Sequence, residues 1–353
     1  MSEDLQHLLT EESLENQKRA QIVERGPDEA QTIIGVVCLL LMCFGSVFNI
    51  IVIHAFRKTN SLQTPTNMLI MGIVVSDTAM VLLGYPFVIA SSFNGYWMFG
   101  STWCEVYGFI MSFLGVSCLC ILTAVALDRY YVVTQSSIAA KITTFKAVMT
   151  ILTCYGYGML WATFPLVGWG GYVIEPNLLS CGPDWTNDTA SSQSYSISIF
   201  LLVLCIPASI ILYCYAQICI TVRNNKIRVV DQVSRSRLLE TRVAFSVLIT
   251  IGSFFAAWMP YAIMSFWTMF NDVTELNHHV AIIAPLLAKS ASVWNPFIYV
   301  CRHKEFRDAL LAVVIPSMQR NRRRRNNENR SNEETGTSSQ RTSKNVAASG
   351  TEC

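Results

Sequence analysis

The chemistry of this chain is concentrated on one amine. From Pro285 to Tyr299 it reads Pro-Leu-Leu-Ala-Lys-Ser-Ala-Ser-Val-Trp-Asn-Pro-Phe-Ile-Tyr, inside an apolar run long enough to cross a membrane, with Lys289 near its middle. An ammonium group at mid-bilayer depth costs at least about 2.5 kcal/mol, so such a lysine faces a cavity, pairs with an acid or is covalently modified. A desolvated lysine loses its proton easily, and the free amine condenses with an aldehyde to give a Schiff base. The bland alternative is a lysine that snorkels to the interface. Tyr299, at the inner end of the same segment, is about 15 Å further along at 1.5 Å per residue, too far for that. Asp77 is a second charge of this kind, the only acid buried within its apolar segment, and an intramembrane carboxylate also needs a partner.

These residues must be positioned by membrane helices. Of the 353 residues 52% are hydrophobic and only 14% charged, a membrane composition. Predominantly apolar stretches run roughly over 31–56, 67–92, 103–131, 146–169, 194–222, 243–270 and 278–301. The linkers at 57–66, 132–145 and 223–242 carry Arg57, Lys58, Lys141, Arg223, Lys226, Arg228, Arg235, Arg237 and Arg242. Those at 93–102, 170–193 and 271–277 contain no Lys or Arg but hold Glu175, Asp184, Asp188, Asp272 and Glu275. The positive-inside rule then puts the N-terminus outside and the C-terminus inside the cell. The sequon Asn187-Asp188-Thr189 falls on the outer side, as a glycosylation site must. So do Cys104 and Cys181, where oxidising conditions favour a bridge, whereas nearly all of the 12 cysteines lie within apolar segments.

The expected organisation is an outer tail at 1–30, a seven-helix bundle at 31–301, a short amphipathic helix on the inner surface at 302–315 and a disordered inner tail at 316–353. Residues 1–30 have no apolar centre, so the first span serves as its own signal. The fold class is an all-α, multi-pass membrane protein. No catalytic residues, no metal and no nucleic-acid partner are expected.

Lys289 followed six positions later by Asn295-Pro296-Phe297-Ile298-Tyr299 resembles the seventh helix of an animal opsin, a retinal-binding G-protein-coupled receptor. The resemblance runs from about Gly45 to Phe306 through Asn49, Asp77, Cys104, Asp128-Arg129-Tyr130, Trp161, Cys181, Pro207 with Tyr215, and Trp258 with Pro260. It implies that Lys289 carries retinal, 11-cis in the dark, and that Cys104 and Cys181 are bridged to close a lid over the pocket. Trp258 and Tyr261 are then pocket residues. Asp128-Arg129-Tyr130, about 36 Å along the third helix from Cys104, becomes the inner switch, with Arg129 paired to Asp128 and Glu240 in the dark. Asp77, surrounded by Asn49, Cys118, Ser292 and Asn295, becomes part of a buried polar network, and Asn295, Pro296 and Tyr299 join the switch.

Two departures from the family pattern matter. Tyr107 stands where vertebrate visual pigments carry a glutamate counterion, and a neutral phenol with a reference pKa of about 10 does not balance a protonated Schiff base. The palmitoylated cysteines after the inner helix are absent. With Asp77 in the inner network and Glu105 about 200° around the helix from Tyr107, Glu175 remains as counterion, and opsins with a neutral residue at the Tyr107 position resemble this arrangement. Ser180 extends its hydrogen-bond network, and an anion that stays near the Schiff base favours a photoproduct that keeps its retinal. The expected function is a light-activated receptor of the cell or photoreceptor membrane, not an enzyme, with a heterotrimeric G protein, a receptor kinase and arrestin as partners. The alternatives are an opsin-type retinal photoisomerase and a receptor for a diffusible ligand.

Overall fold

The computed structural model describes residues 26–135, 142–187, 189–225, 232–302 and Arg307. The expected inner-surface helix, apart from Arg302 and Arg307, and the whole tail from 316 lie outside them. Among the described residues are seven helices long and apolar enough to cross a membrane. They are α1 (Glu29–Lys58), α2 (Pro65–Asn94), α3 (Gly100–Gln135), α4 (Thr144–Thr163), α5, α6 (Gln232–Thr268) and α7 (His278–Arg302). The fifth, α5, runs as Ala190–Ile199, a π-helical stretch Phe200–Cys205 and Ile206–Asn225. The π stretch lies just before Pro207, whose missing N–H breaks the regular ladder at that point.

Helix starts follow local chemistry. The Asp28 carboxylate accepts from the Gln31 N–H at 2.6 Å, and the Gln31 side chain accepts from the Asp28 N–H, a reciprocal cap on α1. Thr64, Thr143 and Thr189 cap α2, α4 and α5 with their hydroxyls, and Pro65 occupies the first turn of α2, where no N–H is needed. At some ends the helices do not coincide with the apolar stretches. α6 begins at Gln232 rather than near 243, because the run Ser234-Arg235-Ser236-Arg237-Leu238-Leu239-Glu240 is too polar to read as a span yet rich enough in helix formers to extend the helix past its apolar part. It ends at Thr268, not 270, and α4 gives way after Thr163 to a 3₁₀ turn over Phe164–Val167 containing Pro165. α1 begins at Glu29, within the segment expected to be tail.

The bundle is built around α2 and α3. In the most apolar window of each, 61% of residues are buried inside the protein, against 22% for α1 and 17% for α5, which therefore present most of their surface outward. α3 packs against α2, α4, α5 and α6, and at one end against a two-stranded hairpin. That hairpin pairs β1 (Tyr172–Ile174) antiparallel with β2 (Cys181–Pro183), Ile174 opposite Cys181. The Glu175 N–H donates to the Ser180 carbonyl at 2.8 Å and so continues the pairing into the turn, where Leu178 takes a left-handed φ of 61°. The hairpin is fixed at the turn end of its ladder by a Cys104–Cys181 disulfide with Cα atoms 5.4 Å apart, across a sequence separation of 77. Tyr172 lays its ring against Gly108 of α3, where no Cβ would fit, and its hydroxyl donates to the Ala162 carbonyl at 2.8 Å. Burial pushes this phenol up, so it remains a neutral donor.

Two prolines interrupt α7, and one of the gaps is filled from another helix. Pro296 has no N–H for the carbonyl of Ser292 four residues earlier; the Asn49 side chain of α1 donates to that carbonyl at 3.1 Å instead. Asn49 is fully buried, so the bond is made in a water-poor interior.

Replacing Cys104 and Cys181 by Ala should destabilise the protein by roughly 2–5 kcal/mol, read as a fall in the thermal midpoint of the detergent-solubilised receptor. Asn49→Ala should cost about 1–3 kcal/mol by the same measurement, because it leaves the Ser292 carbonyl buried without its donor. A midpoint equal to the parent's would contradict either expectation.

Candidate functional site

A cavity of about 1310 Å³, its mouth included, lies beneath the hairpin between α2, α3, α5, α6 and α7. Its walls are mainly apolar, formed by residues such as Met80, Met111, Val116, Leu119, Phe254 and Trp258. Trp258 is held stacked on Phe254 at 5.6 Å and meets Tyr261 edge-on at 6.2 Å. Pro260 lies between these two cavity residues, inside α6. Lys289 enters the cavity from α7, and its own backbone carbonyl accepts from the Tyr85 hydroxyl at 3.0 Å and the Ser292 hydroxyl at 2.9 Å. The stem of the lysine is thus anchored by groups on two helices.

Polar chemistry gathers at one end, under the hairpin turn. The Lys289 amine lies 3.9 Å from Glu175 Oε2 and donates to Ser180 Oγ at 3.4 Å. Ser180 in turn donates to Glu175 Oε2, and Asn177 donates to Ser180 at 3.2 Å. The other carboxylate oxygen, Oε1, accepts from the Tyr261 hydroxyl at 2.6 Å, and the Trp185 indole N–H donates to that hydroxyl at 3.2 Å. Glu175 is 5% exposed, so its charge is stabilised by these donors and by the amine rather than by water. Gly182 of β2 is the residue that permits this approach: a Cβ there would lie 3.0 Å from Glu175 Oε1 and 3.1 Å from the Tyr261 hydroxyl.

Tyr107 also lines the cavity, from α3, packed edge-on against Trp97 at 5.4 Å and Phe87 at 5.9 Å. Its hydroxyl is buried with no hydrogen-bond partner among the described residues. Lys289, Glu175, Ser180, Tyr107, Trp258 and Tyr261 therefore line or border one cavity, next to the Cys104–Cys181 bridge. Asn187, exposed in the segment after β2, lies outside the site.

At the opposite end of α3, Arg129 donates to Asp128 Oδ2 from Nη2 at 2.6 Å and from Nε at 3.1 Å. Thr66 completes this pair, donating to Asp128 Oδ2 at 2.8 Å and accepting from Arg129 Nη2 at 2.6 Å. Tyr130 turns outward against Tyr213 of α5, ring centroids 5.9 Å apart. The side chains of Glu240 and Tyr299 lie outside the described residues.

Between the two ends, Asp77 accepts from Asn295 at 2.8 Å and lies 3.8 Å from the Cys118 thiol. The expected ring around Asp77 is only half formed by direct contact. Asn49 donates instead to the Ser292 carbonyl exposed by Pro296, and Ser292 donates to the Lys289 carbonyl. Sequence reasoning missed Trp185, Tyr85, Asn177 and Thr66. Nothing in the spacing of Trp185, Tyr85 and Thr66 marks them, because each acts through a contact with another segment, and Asn177 acts within the turn that carries Glu175.

Comparison with known proteins places this geometry. A profile for the 7 transmembrane receptor (rhodopsin family) matches residues 48–299. The chain is 33% identical over 294 residues to the visual pigment-like receptor peropsin of Homo sapiens, covering 82% of this chain and 87% of that protein. It is 32% identical over 291 residues to the G0-coupled rhodopsin of Mizuhopecten yessoensis, with 80% and 72% covered. The crystal structure of squid rhodopsin superposes with a TM-score of 0.76 at 29% identity, covering 83% of this chain and 87% of that one. The chain belongs to the rhodopsin family of seven-transmembrane receptors, and within it to the animal opsins, light-sensing G-protein-coupled receptors.

Proposed function

We propose that Lys289 holds retinal covalently as a protonated Schiff base, that Glu175 is its counterion, and that the light signal leaves through Arg129 to a heterotrimeric G protein. The observation that carries this reading is the placement of the one amine at the polar end of an otherwise apolar cavity, 3.9 Å from a buried carboxylate. The lining fits the group: a long hydrocarbon suits the walls, an aldehyde suits a desolvated lysine, and the cation so formed needs an anion within a few ångströms. When bound, retinal supplies the light-driven step, isomerisation from 11-cis to all-trans.

The chain's own residues supply the rest. Tyr85 and Ser292 hold the Lys289 backbone, so the amine is presented from a fixed point. Ser180 bridges amine and carboxylate, and Tyr261 holds the second oxygen, so the counterion has one orientation. Trp258 forms the wall below and sits on α6 two residues before Pro260, a hinge through which a change of cavity shape moves the inner half of that helix. Outward movement of that half, which carries Glu240, frees Arg129 from its dark-state partners. The lid end faces outside the cell and the Arg129 end faces the cytoplasm, where receptor kinase and arrestin act on the tail. An opsin-type photoisomerase needs no such inner switch, and the Asp128–Arg129–Thr66 cluster favours signalling. Light-dependent nucleotide exchange on a G protein, absent in the dark, separates the two.

Lys289→Ala reconstituted with 11-cis-retinal should show no visible absorbance and no retinal attached after denaturation. Covalent pigment in that variant would overturn the assignment. Glu175→Gln should lower the pH at which the Schiff base loses its proton by about 1–3 units, since an anion close to a cation favours its charged form by that much. The visible band of the variant then moves into the near ultraviolet as pH rises through the lowered midpoint. A midpoint unchanged from the parent would rule Glu175 out.

A further inference from the structure

Trp185 follows β2 by two residues, and its ring meets Phe200 of the α5 π stretch edge-on at 5.9 Å. Phe200 in turn meets Phe266 of α6 at 5.4 Å, so the indole is wedged between the lid, α5 and α6. Its N–H lies 3.2 Å from the Tyr261 hydroxyl oxygen. An indole N–H only donates, whereas a phenol both donates and accepts. With its oxygen taken by Trp185, the Tyr261 hydroxyl points its single proton at Glu175 Oε1, 2.6 Å away. A second acceptor at Trp185 would leave that proton free to turn.

We propose that Trp185 is a positioning residue for the counterion: its indole N–H directs and polarises the Tyr261 hydroxyl, which spreads the negative charge of Glu175 and so sets both the colour and the acid stability of the pigment. The proposal rests on Glu175 serving as counterion. The groups facing Glu175 are Lys289 from α7, Tyr261 from α6, Ser180 from its own turn and, across the cavity, Tyr107 from α3; Lys289 is the cation among them. Without the indole donor the carboxylate has one weaker hydrogen bond and a more concentrated charge. That carboxylate attracts both a proton and the Schiff-base cation more strongly. The dark absorption maximum therefore moves to shorter wavelength, and the acid-induced red shift that marks protonation of the counterion moves to higher pH.

The test is a pair of dark titrations on the full chain reconstituted with 11-cis-retinal, with Trp185→Phe and Tyr261→Phe made singly and together. Trp185→Phe keeps an aromatic ring against Phe200 and removes only the donor. It should shift the maximum to the blue and raise the acid midpoint by about one pH unit, the size of losing part of one hydrogen bond to a charged group. Because Trp185 acts through Tyr261, the same substitution in the Tyr261→Phe background should change neither quantity. A merely structural tryptophan would lower thermal stability while leaving the maximum and the midpoint at parent values, which overturns the proposal. Equal shifts in both backgrounds overturn it as well. If Trp185→Phe yields no pigment, Trp185→Leu removes the donor by another route and is read the same way. Glu175→Gln serves as the control on the underlying reading: if the visible band of the already protonated Schiff base still moves to longer wavelength on acidification in that variant, Glu175 is not the counterion, independently of what Trp185 does.

Discussion

A cation kept among apolar side chains requires an anion held close and still, and most of this structure can be understood as the means of holding one. Glu175 belongs to a turn, the least rigid kind of element, yet it is 5% exposed and accepts from Ser180 and Tyr261 beside Lys289. The turn is continuous with a two-stranded hairpin, the hairpin is bonded covalently to α3 at Cys104, and Tyr172 packs it onto Gly108 of the same helix. α3 is in turn among the most enclosed of the helices. The anion is therefore referenced to the centre of the bundle, not to the loop that carries it. Loss of any one of these supports leaves a charge in a place where water cannot compensate it.

Placing the anion on the hairpin turn brings it into contact with α6. The helix that carries Trp258 and Pro260 also carries Tyr261, so α6 touches the Glu175 carboxylate directly, one residue after its proline. A change in cavity shape that moves α6 necessarily disturbs a donor to Glu175. The carboxylate and α6 are joined here by a hydrogen bond of 2.6 Å, and Tyr107, whose hydroxyl has no partner among the described residues, takes no part in it.

The same helix that presents Lys289 leads away from the hairpin by a series of hydrogen bonds. The Lys289 carbonyl accepts from Ser292, the Ser292 carbonyl accepts from Asn49, and Asn295 donates to Asp77. Proline explains why side chains are needed: Pro296 strips an N–H from the ladder, and a helix with a missing rung is softer unless something else fills it. Asn49 fills it from α1. The result is a seventh helix that is interrupted yet braced at the interruption.

Sequence alone determined the membrane class and the number of spans and singled out Lys289 as the charge within its span, because these follow from hydropathy, segment length and the rarity of charge at mid-depth. Family motifs then named Asp77, Asp128, Arg129, Trp258, Asn295 and the two bridged cysteines, and Glu175 emerged once Tyr107, Asp77 and Glu105 had been set aside. Tertiary structure decided what those residues touch. Thr66 joins Arg129 across 63 positions, Tyr85 reaches the Lys289 backbone across 204, and Trp185 meets Tyr261 across 76. No periodicity encodes such pairs; they depend on how helices rotate and how the lid descends. Asn49 shows the difference most clearly: its type and place suggested contact with Asp77, but its amide donates to the carbonyl that Pro296 leaves unfilled. A buried donor goes to the acceptor with the greatest unmet need, and that need is visible only once the backbone is folded.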